Sequence, residues 1–238
     1  MSVNPADSVV FGTLYGSEAM REAAGDRAWL QRMLDVEAAL ARVEARLGLI
    51  PAEAAPAITA AARAGKLDMT ALAISTRNTG YPVVGLVKQL SQAAGPEAGR
   101  WTHWGATTQD ILDTATVLVI RDALAIIERD LDRVCAALAA RAEEHRGTVM
   151  AGRTHLQHAL PVTFGYKCAV WLSPLLRMRE RLAELRPRVL RVEFGGAVGT
   201  LASLGDRGAE VLAGLARELD LAEPEIPWHV AHDGFAEL

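Results

Sequence analysis

Residues 109–146 read QDILDTATVLVIRDALAIIERDLDRVCAALAARAEEHR and contain neither glycine nor proline. Apolar residues recur in this stretch at the three- and four-residue spacing of an α-helix, and a helix of this length is about 55 Å long. Val117, Ile120 and Ile126 place apolar groups on further faces of the same helix. Because a helix that is apolar on several sides must be covered on several sides, we expect helices of other subunits to pack against it.

The flanking sequence is also helical in pattern, and aromatic residues make up only 5% of the chain. Apolar spacing, with glycine or proline near the ends, predicts further helices over residues 26–47, 51–64, 82–94, 162–192 and 206–219. The intervening segments 75–81 and 95–106 are predicted to be loops. We therefore predict an all-α protein with a small N-terminal helical domain, residues 1–105, followed by the first part of a long central helical bundle, residues 106–238.

Composition excludes several classes of protein. The chain has 238 residues, of which 50% are hydrophobic, and a formal net charge of −4, so no basic excess indicates binding to nucleic acid or to an anionic membrane. No apolar run approaches the ~20 residues of a membrane span, and the N-terminus has no signal-peptide pattern. The two cysteines, Cys135 and Cys168, lie within helical patterns and are predicted to be buried packing residues. These features favour a cytoplasmic protein.

A first polar segment, HWGATTQD at residues 103–110, immediately precedes the long helix. The spacing of Thr107 and Asp110 is that of a capping box, with Asp in place of Glu or Gln, and helix capping alone explains both residues. The alternative is functional, because the N–H groups and the positive dipole end of a helix N-terminus can bind a carboxylate or phosphate. Thr107, Thr108 and Gln109 would then add side-chain hydrogen bonds.

Two further polar segments lie between apolar stretches. GRTHLQHALPVTFG, residues 152–165, contains His155 and His158. No third or fourth ligand accompanies this pair, so we predict no metal site and favour acid–base chemistry by histidine. STRNTGYP, residues 75–82, is either a plain connecting loop or a loop that offers Asn78 and its neighbours to a ligand. The sequence contains no cofactor-binding motif, and we predict no cofactor.

Taken together, these segments resemble a known superfamily. HWGATTQDILDT and GRTHLQHALPVTFG are similar to the first and second signatures of the fumarase/aspartase superfamily. FGGAVGTLASLGDRG, followed by IPWH, resembles the branch that contains 3-carboxy-cis,cis-muconate cycloisomerase and adenylosuccinate-lyase-like enzymes. The resemblance implies homotetramers of long helices in which three subunits contribute to each active site. It also implies elimination next to a carboxylate, through an aci-carboxylate intermediate, from a small dicarboxylate or tricarboxylate substrate.

The resemblance assigns roles to individual residues. His155 occupies the position of the general acid, which protonates the leaving group. The substrate-binding residues implied by the motifs are Thr107, Thr108, Gln109, Thr154, Gln157 and Asn78. Arg153, His158 and Asp110 are expected to support these residues without contacting the reacting atoms.

This sequence departs from the family pattern at two points. Cycloisomerases of this branch typically carry tryptophan at the position of His155, whereas fumarate-releasing lyases carry histidine. The third signature, a GSSxMPxKxN loop whose serine is the catalytic base, has no counterpart, because no GSS triplet occurs in these residues. We therefore expect a fragment of about half the usual length that shows no turnover by itself.

Three functions remain open at this point. The first is a lyase that releases fumarate from a succinyl-type substrate such as an aspartate-, adenylosuccinate- or nitrosuccinate-like compound. The alternative is 3-carboxy-cis,cis-muconate cycloisomerase, which forms a lactone in aromatic degradation. A third is an inactive helical scaffold, for which the missing serine loop is the main support. His155 favours the lyase, because protonation of a departing nitrogen requires an acid.

Overall fold

The computed structural model describes residues 4–238, which are predominantly helical and contain one small antiparallel sheet. The all-α prediction is confirmed, and the sheet is a single hairpin. Residues 1–3, where the predicted N-terminal domain begins and where a leader was sought, lie outside this range. In chain order the elements are α1 (Glu18–Ala24), α2 (Asp26–Arg46), α3 (Ala54–Ala61), α4 (Met69–Thr79), α5 (Pro82–Ala94), α6 (Pro96–Gly99), α7 (Thr108–Glu144), β1 (Val149–Thr154), β2 (Gln157–Thr163), α8 (Phe164–Val189), α9 (Gly208–Leu219) and α10 (Asp233–Ala236).

The chain divides into two compact units. The first unit consists of Met1–Ala123 together with Pro187–Leu238, and the second consists of Leu124–Arg186. Both α7 and α8 run through this division. The domain boundary predicted near residue 105 stays a prediction. Among residues 4–238, no helix combines the length and the apolar character needed to cross a membrane.

The core of the first unit is built around α2. Met33, Leu34 and Leu40 on this helix are at most 1% exposed. Gly214 on α9 permits close approach to α2, since a Cβ atom at that position would lie 2.5 Å from Cγ1 of Val43. Ion pairs tie the helix to its neighbours, including Arg32 to Asp122 of α7 at 2.6 Å. α2 is therefore a central element of the unit, in contact with α1, α3, α5 and α9.

The first half of α7 also lies in this core. Ile111, Ala115 and Leu118 are fully buried, as the helical spacing predicts. Val117, on a further face, is equally buried within the same chain. The long helix predicted over 109–146 is confirmed as Thr108–Glu144, and part of its broad apolar surface is covered without any other subunit.

Two acidic side chains, Glu37 and Glu44, are enclosed in this apolar core. Neither oxygen of the Glu44 carboxyl has a hydrogen-bond partner among the described residues. Burial raises the pKa of Glu44 to about 9, and the nearby carboxylate of Glu37 adds to this effect. Glu44 is therefore neutral in the folded protein at pH 7.

Replacing Glu44 with glutamine should remove a pH dependence of stability. Because the folded-state pKa is raised, the contribution of Glu44 is fully present below pH 4.5 and is lost as the pH rises through about 9. The wild-type free energy of unfolding should fall by about 2.7 kcal/mol between pH 6 and pH 8, and this decline should vanish in Glu44→Gln. Urea unfolding at each pH measures it, with exposed Glu22→Gln as the control. A decline of equal size in both variants would contradict the assignment.

The segment predicted as a loop over 75–81 is mostly helical, and that prediction is wrong. α4 continues to Thr79, and Gly80 ends it in the left-handed conformation, with its N–H donating to the Thr76 carbonyl at 2.8 Å. The polar residues are compatible with helix because the hydroxyls of Thr76 and Thr79 donate to carbonyls four residues earlier, at 2.9 and 3.0 Å. Asn78 therefore lies on the last turn of a helix.

In the second unit, the C-terminal half of α7 lies against α8. Arg186 pairs with Glu128 at 3.0 Å, and Arg179 pairs with Asp132 at 3.1 Å, so the two helices are antiparallel. Cys135 and Cys168 are both buried free thiols, which confirms their predicted role in packing.

Much of the apolar surface of the second unit is exposed in a single chain. Ile127 and Val134 on α7 are 43% and 48% exposed, and Trp171 and Met178 on α8 are 48% and 52% exposed. Large apolar side chains at helical spacing on an open face are typical of an interface between subunits. These faces are the part of the predicted broad apolar surface that this chain does not cover.

Candidate active site

The start of α7 is a tight turn in the first unit. His103 and Gly105 both have left-handed backbone conformations, with φ of 62° and 70°. The turn lies close against Leu204, since a Cβ atom at position 105 would be 2.6 Å from Cδ2 of that residue. Glycine is therefore needed at 105 for both conformation and space. Thr107 and Thr108, the predicted donors, lie half-buried where this turn enters the helix.

Asp110 fixes this turn in place. Its carboxylate is fully buried, and Oδ2 accepts from the N–H of Thr107 at 2.8 Å, the contact expected of a capping box. Oδ2 also accepts from the N–H of Gly196 at 3.0 Å, and Oδ1 accepts from the N–H of Gly195 at 2.8 Å. Burial raises the pKa of Asp110, while these three N–H donors and His229 oppose the rise. Asp110 therefore joins the helix start to the glycine-rich segment.

Asp110, Glu193 and His229 form a group of three side chains whose potential ligand atoms lie within 4.8 Å of one another. The oxygens of Glu193 are already engaged, one by the Trp228 N–H at 2.5 Å and the other by Nδ1 of His229 at 3.2 Å. Because backbone N–H groups also occupy both oxygens of Asp110, a cation would have to displace donors that already neutralise these carboxylates. The arrangement is that of hydrogen-bonded structural acids. Burial raises the pKa of Glu193, and the Trp228 and His229 bonds oppose the rise.

Gln109 is held by a neighbour on the same helix. Its amide Nε2 donates to Oδ1 of Asp113 at 2.8 Å, and Oδ2 of Asp113 lies 3.0 Å from Nε2 of His232. The His232 ring stacks on Phe235, with 5.6 Å between the ring centroids. The residue predicted to bind substrate is therefore also part of a structural network at the second turn of α7.

The sequence analysis missed a pair of residues beside this turn. Nδ1 of His103 lies 2.6 Å from Oε1 of Glu37, whose side chain is fully buried on α2. Burial lowers the pKa of His103, but the charges of Glu37 and Asp110 outweigh this effect, so the net shift is upward. An acidic residue on the buried face of α2 was the available signal, because a buried carboxylate needs a partner.

The second polar segment, residues 152–165, forms the β-hairpin of the second unit. β1 and β2 pair Arg153 with His158 and Thr154 with Gln157, which leaves His155 and Leu156 as a two-residue turn. Both turn residues have positive φ, 46° and 62°. This geometry normally selects asparagine and glycine, so the turn is strained. The helix predicted from residue 162 begins instead at Phe164.

All the predicted residues of this hairpin are exposed to solvent in the single chain. These are Arg153, Thr154, His155, Gln157 and His158. A two-stranded hairpin without a covering layer is only marginally stable in water. Its base is anchored, since the N–H of Phe164 donates to the Thr148 carbonyl at 2.9 Å and the His145 ring packs edge-on against Phe164. The tip therefore presents a solvent-exposed histidine.

The predicted site residues thus fall into separate groups. Thr107, Thr108, Gln109 and Asp110 lie together at the start of α7 in the first unit. Asn78 lies in the same unit, exposed at the end of α4. The hairpin residues form a second group in the second unit.

Comparison with known proteins identifies the family. The family model described as Lyase matches residues 15–233. The chain belongs to this lyase family. The resemblance to the fumarase/aspartase superfamily that its motifs carry is thereby confirmed.

The similar proteins are named for different activities. The 3-carboxy-cis,cis-muconate cycloisomerase of Pseudomonas aeruginosa is 50% identical over 241 residues, which covers 100% of this chain and 52% of that protein. A fumarate lyase structure from Mesorhizobium sp. BNC1 is 58% identical, with a TM-score of 0.89, over 94% of this chain and 52% of that one. The 3-carboxy-cis,cis-muconate lactonizing enzyme of Pseudomonas putida is 47% identical, with a TM-score of 0.95, over 97% of this chain and 53% of that one. The chain spans about half the length of these relatives.

Proposed function

We propose that this lyase-family chain belongs to an enzyme that cyclises 3-carboxy-cis,cis-muconate. The support comes first from its relatives, since a cycloisomerase matches the whole chain at 50% identity and a lactonizing enzyme shares its fold with a TM-score of 0.95. For this reason we favour the lactone-forming reaction over fumarate release, although His155 in the sequence favours fumarate release. The single structural observation that carries the proposal is the preorganised turn at the start of α7, which Asp110 and Gly105 hold rigid.

The chemistry requires such a turn. In lactonisation, one carboxylate oxygen adds to a carbon–carbon double bond, and the electron pair moves onto the carbon next to another carboxylate. The resulting aci-carboxylate carries two negative charges until that carbon accepts a proton, which the family's serine loop would donate, since it removes the corresponding proton in elimination. Donors fixed before the reaction stabilise this charge without reorganisation, and such stabilisation is usually the largest catalytic contribution. Thr107 and Thr108, with the N–H groups of the helix start, are the proposed donors.

In the proposed assembly, the hairpin of a neighbouring subunit supplies the second half of the site. Thr154 and Gln157 flank the turn and would bind further carboxylates of a tricarboxylate substrate, with Asn78 lining the same pocket. Arg153 and His158, paired across the strands, would stiffen the tip. Strain at His155 and Leu156 is consistent with this role, because strained backbone is retained mostly where function requires the geometry.

We further propose a homotetramer in which each site combines elements of three subunits. The exposed apolar faces of α7 and α8 support this assembly, as does the uncovered hairpin. A monomer by light scattering at micromolar concentration would contradict it.

A second candidate, elimination that releases fumarate, is favoured by one observation. His155 places an imidazole at the exposed tip of the hairpin, and a departing amine or alkoxide requires a proton. Lactonisation has no such requirement at this position, because its attacking carboxylate is already deprotonated. The 58% identical fumarate lyase structure adds weight to this alternative.

The two functions can be separated with a panel assay. The purified chain is tested alone and co-expressed with the part of the Pseudomonas aeruginosa cycloisomerase that it does not match. We expect no turnover from the chain alone, because the serine loop of the family is not among these residues. The co-expressed pair should consume 3-carboxy-cis,cis-muconate, followed by its ultraviolet absorbance. Fumarate formation from succinyl-type substrates would support the second candidate, and a soluble complex with neither activity would contradict both. Turnover by the chain alone would overturn the expected dependence on the serine loop.

A further inference from the structure

The buried face of α2 carries two glutamates with unusual surroundings. Glu37 and Glu44 lie seven residues apart, two helical turns along the same face, and are 1% and 0% exposed. Three of their four carboxyl oxygens have no hydrogen-bond partner among residues 4–238. Unsatisfied buried carboxyl oxygens are costly, so a pair of them in a core calls for a specific explanation.

The fourth oxygen makes one short contact. Oε1 of Glu37 lies 2.6 Å from Nδ1 of His103, 66 positions later in the chain. A carboxylate oxygen can only accept, so Nδ1 carries the proton in this bond. The other ring nitrogen, Nε2, has no hydrogen-bond partner within the described chain and is not enclosed. The ring is therefore held at one nitrogen and available at the other.

His103 is also the residue at which the turn before α7 begins. Its backbone is left-handed, with φ of 62°, a conformation that is unfavourable for a residue with a Cβ atom. Its carbonyl accepts from the N–H of Ala106 at 3.4 Å, so the ring and the turn are parts of one structure. A strong side-chain contact is what can hold such a residue in this conformation.

We propose that Glu37 is a positioning residue for the candidate site, because its buried carboxylate anchors His103 and thereby the 103–109 turn that presents Thr107 and Thr108. This inference rests on the proposed function only for the statement that the turn binds substrate. The anchoring itself depends on the contact, the burial and the backbone geometry described above.

The charges around the pair are consistent with this role. Glu44, the other acid on this face of α2, is neutral at pH 7 because burial raises its pKa to about 9, with a smaller contribution from the Glu37 carboxylate. On the other side, Asp110 adds a negative charge near His103. One carboxylate on α2 therefore faces a ring whose pKa the charges of Glu37 and Asp110 raise above its ordinary value. When the ring is protonated it has a donor at both nitrogens, so Nε2 can donate while Nδ1 is held by Glu37.

The test uses the whole chain with ¹³C-labelled histidine and needs no enzymatic activity. The His103 resonance is identified from its loss in His103→Asn, and its titration is followed by NMR. In the wild type the ring should be more than half protonated at pH 6.5, the ordinary pKa of histidine. In Glu37→Gln the titration midpoint should fall. Hydrogen exchange of the amides of 104–109, measured by mass spectrometry, should become roughly tenfold faster.

Glu44→Gln is the matched control, since it removes an acid from the same helix face but makes no contact with His103. It should leave the His103 titration and the exchange of the turn close to those of the wild type. A ring mostly neutral at pH 6.5 in the wild type would overturn the proposal, even if Glu37→Gln fails to fold. Equal effects of the two variants would also overturn it. Neither readout involves turnover. If the muconate and fumarate assays fail, the proposed role of Glu37 can therefore still be tested separately from the proposed function.

Discussion

Replacing His155 with tryptophan is expected to slow any fumarate release by roughly 10²–10⁴-fold and to leave lactonisation within about tenfold of its starting rate. The imidazole of His155 lies at the hairpin tip, where it can protonate a leaving group, whereas His158 lies further back and pairs with Arg153 across the strands. An indole cannot supply a proton, but it can fill the same space above the substrate. Lactonisation tolerates the change because no leaving group departs from a nitrogen or oxygen that needs protonation.

The measurement compares kcat/KM for both reactions in the co-expressed protein described above. Leu160→Trp is the matched control, because it adds the same ring to an exposed position of β2 without touching the proposed site. Light scattering verifies that each variant keeps its assembly. If His155→Trp and the control lower fumarate release equally, the hairpin tolerates no bulk, and the role of His155 as an acid is wrong.

Replacing Asp110 with alanine is expected to lower the free energy of unfolding by about 3–5 kcal/mol. The substitution leaves three N–H groups, those of Thr107, Gly195 and Gly196, without the acceptor that they share. Each unsatisfied buried donor costs about 1–3 kcal/mol, and relaxation of the glycine-rich segment recovers part of the sum. Urea unfolding at pH 7 measures the loss.

Asp113→Asn is the comparison for this effect. Asp113 lies one turn further along α7 and is also buried, but its partners are the side chains of Gln109 and His232. Side chains can reorient towards water or towards the new amide, so we expect a loss of about 1 kcal/mol. If both variants lose a similar free energy of unfolding, the backbone hydrogen bonds of Asp110 contribute no more to stability than the side-chain bonds of Asp113.

Most of the long helices could be predicted from the local pattern of apolar residues. Predicted helix 109–146 corresponds to Thr108–Glu144, and predicted helix 26–47 corresponds to Asp26–Arg46. These stretches combine regular apolar spacing with residues of high helix propensity, and both signals act over a few neighbouring residues. The end of α2 could also be predicted from local sequence, because Gly48 follows the helix and adopts a left-handed conformation with a φ of 71°.

The sequence pattern did not predict the backbone of two polar segments, one taken as a loop and the other given no secondary structure. Residues 75–79 are helical, since hydroxyls bond back to the helix and Asp68 caps its start through the N–H groups of Thr70 and Ala71. Residues 149–163 form a hairpin whose turn, His155-Leu156, lacks the glycine or asparagine that marks such turns in a sequence. In both cases the backbone conformation depends on hydrogen bonds that a composition pattern does not report.

The candidate site was predictable only where its contacts are local. Thr107 and Asp110 were paired from their three-residue spacing, and that bond is present. The contacts of Asp110 with Gly195 and Gly196 span 85 and 86 positions, and the contact of Glu37 with His103 spans 66. No local rule relates residues so far apart. A glutamate on an apolar helix face signals only that some partner exists.

The sequence by itself determined the helical class, the long helix with its capped start, and the family motifs, because each depends on residues within a few positions of one another. The tertiary structure decided which carboxylates are structural and which side chains remain free to meet a ligand. It placed Asp110 beneath three N–H donors and Glu37 against His103, and it left His155 exposed on a strained turn. The physical reason is that charge and burial are properties of the folded neighbourhood, which long-range packing creates.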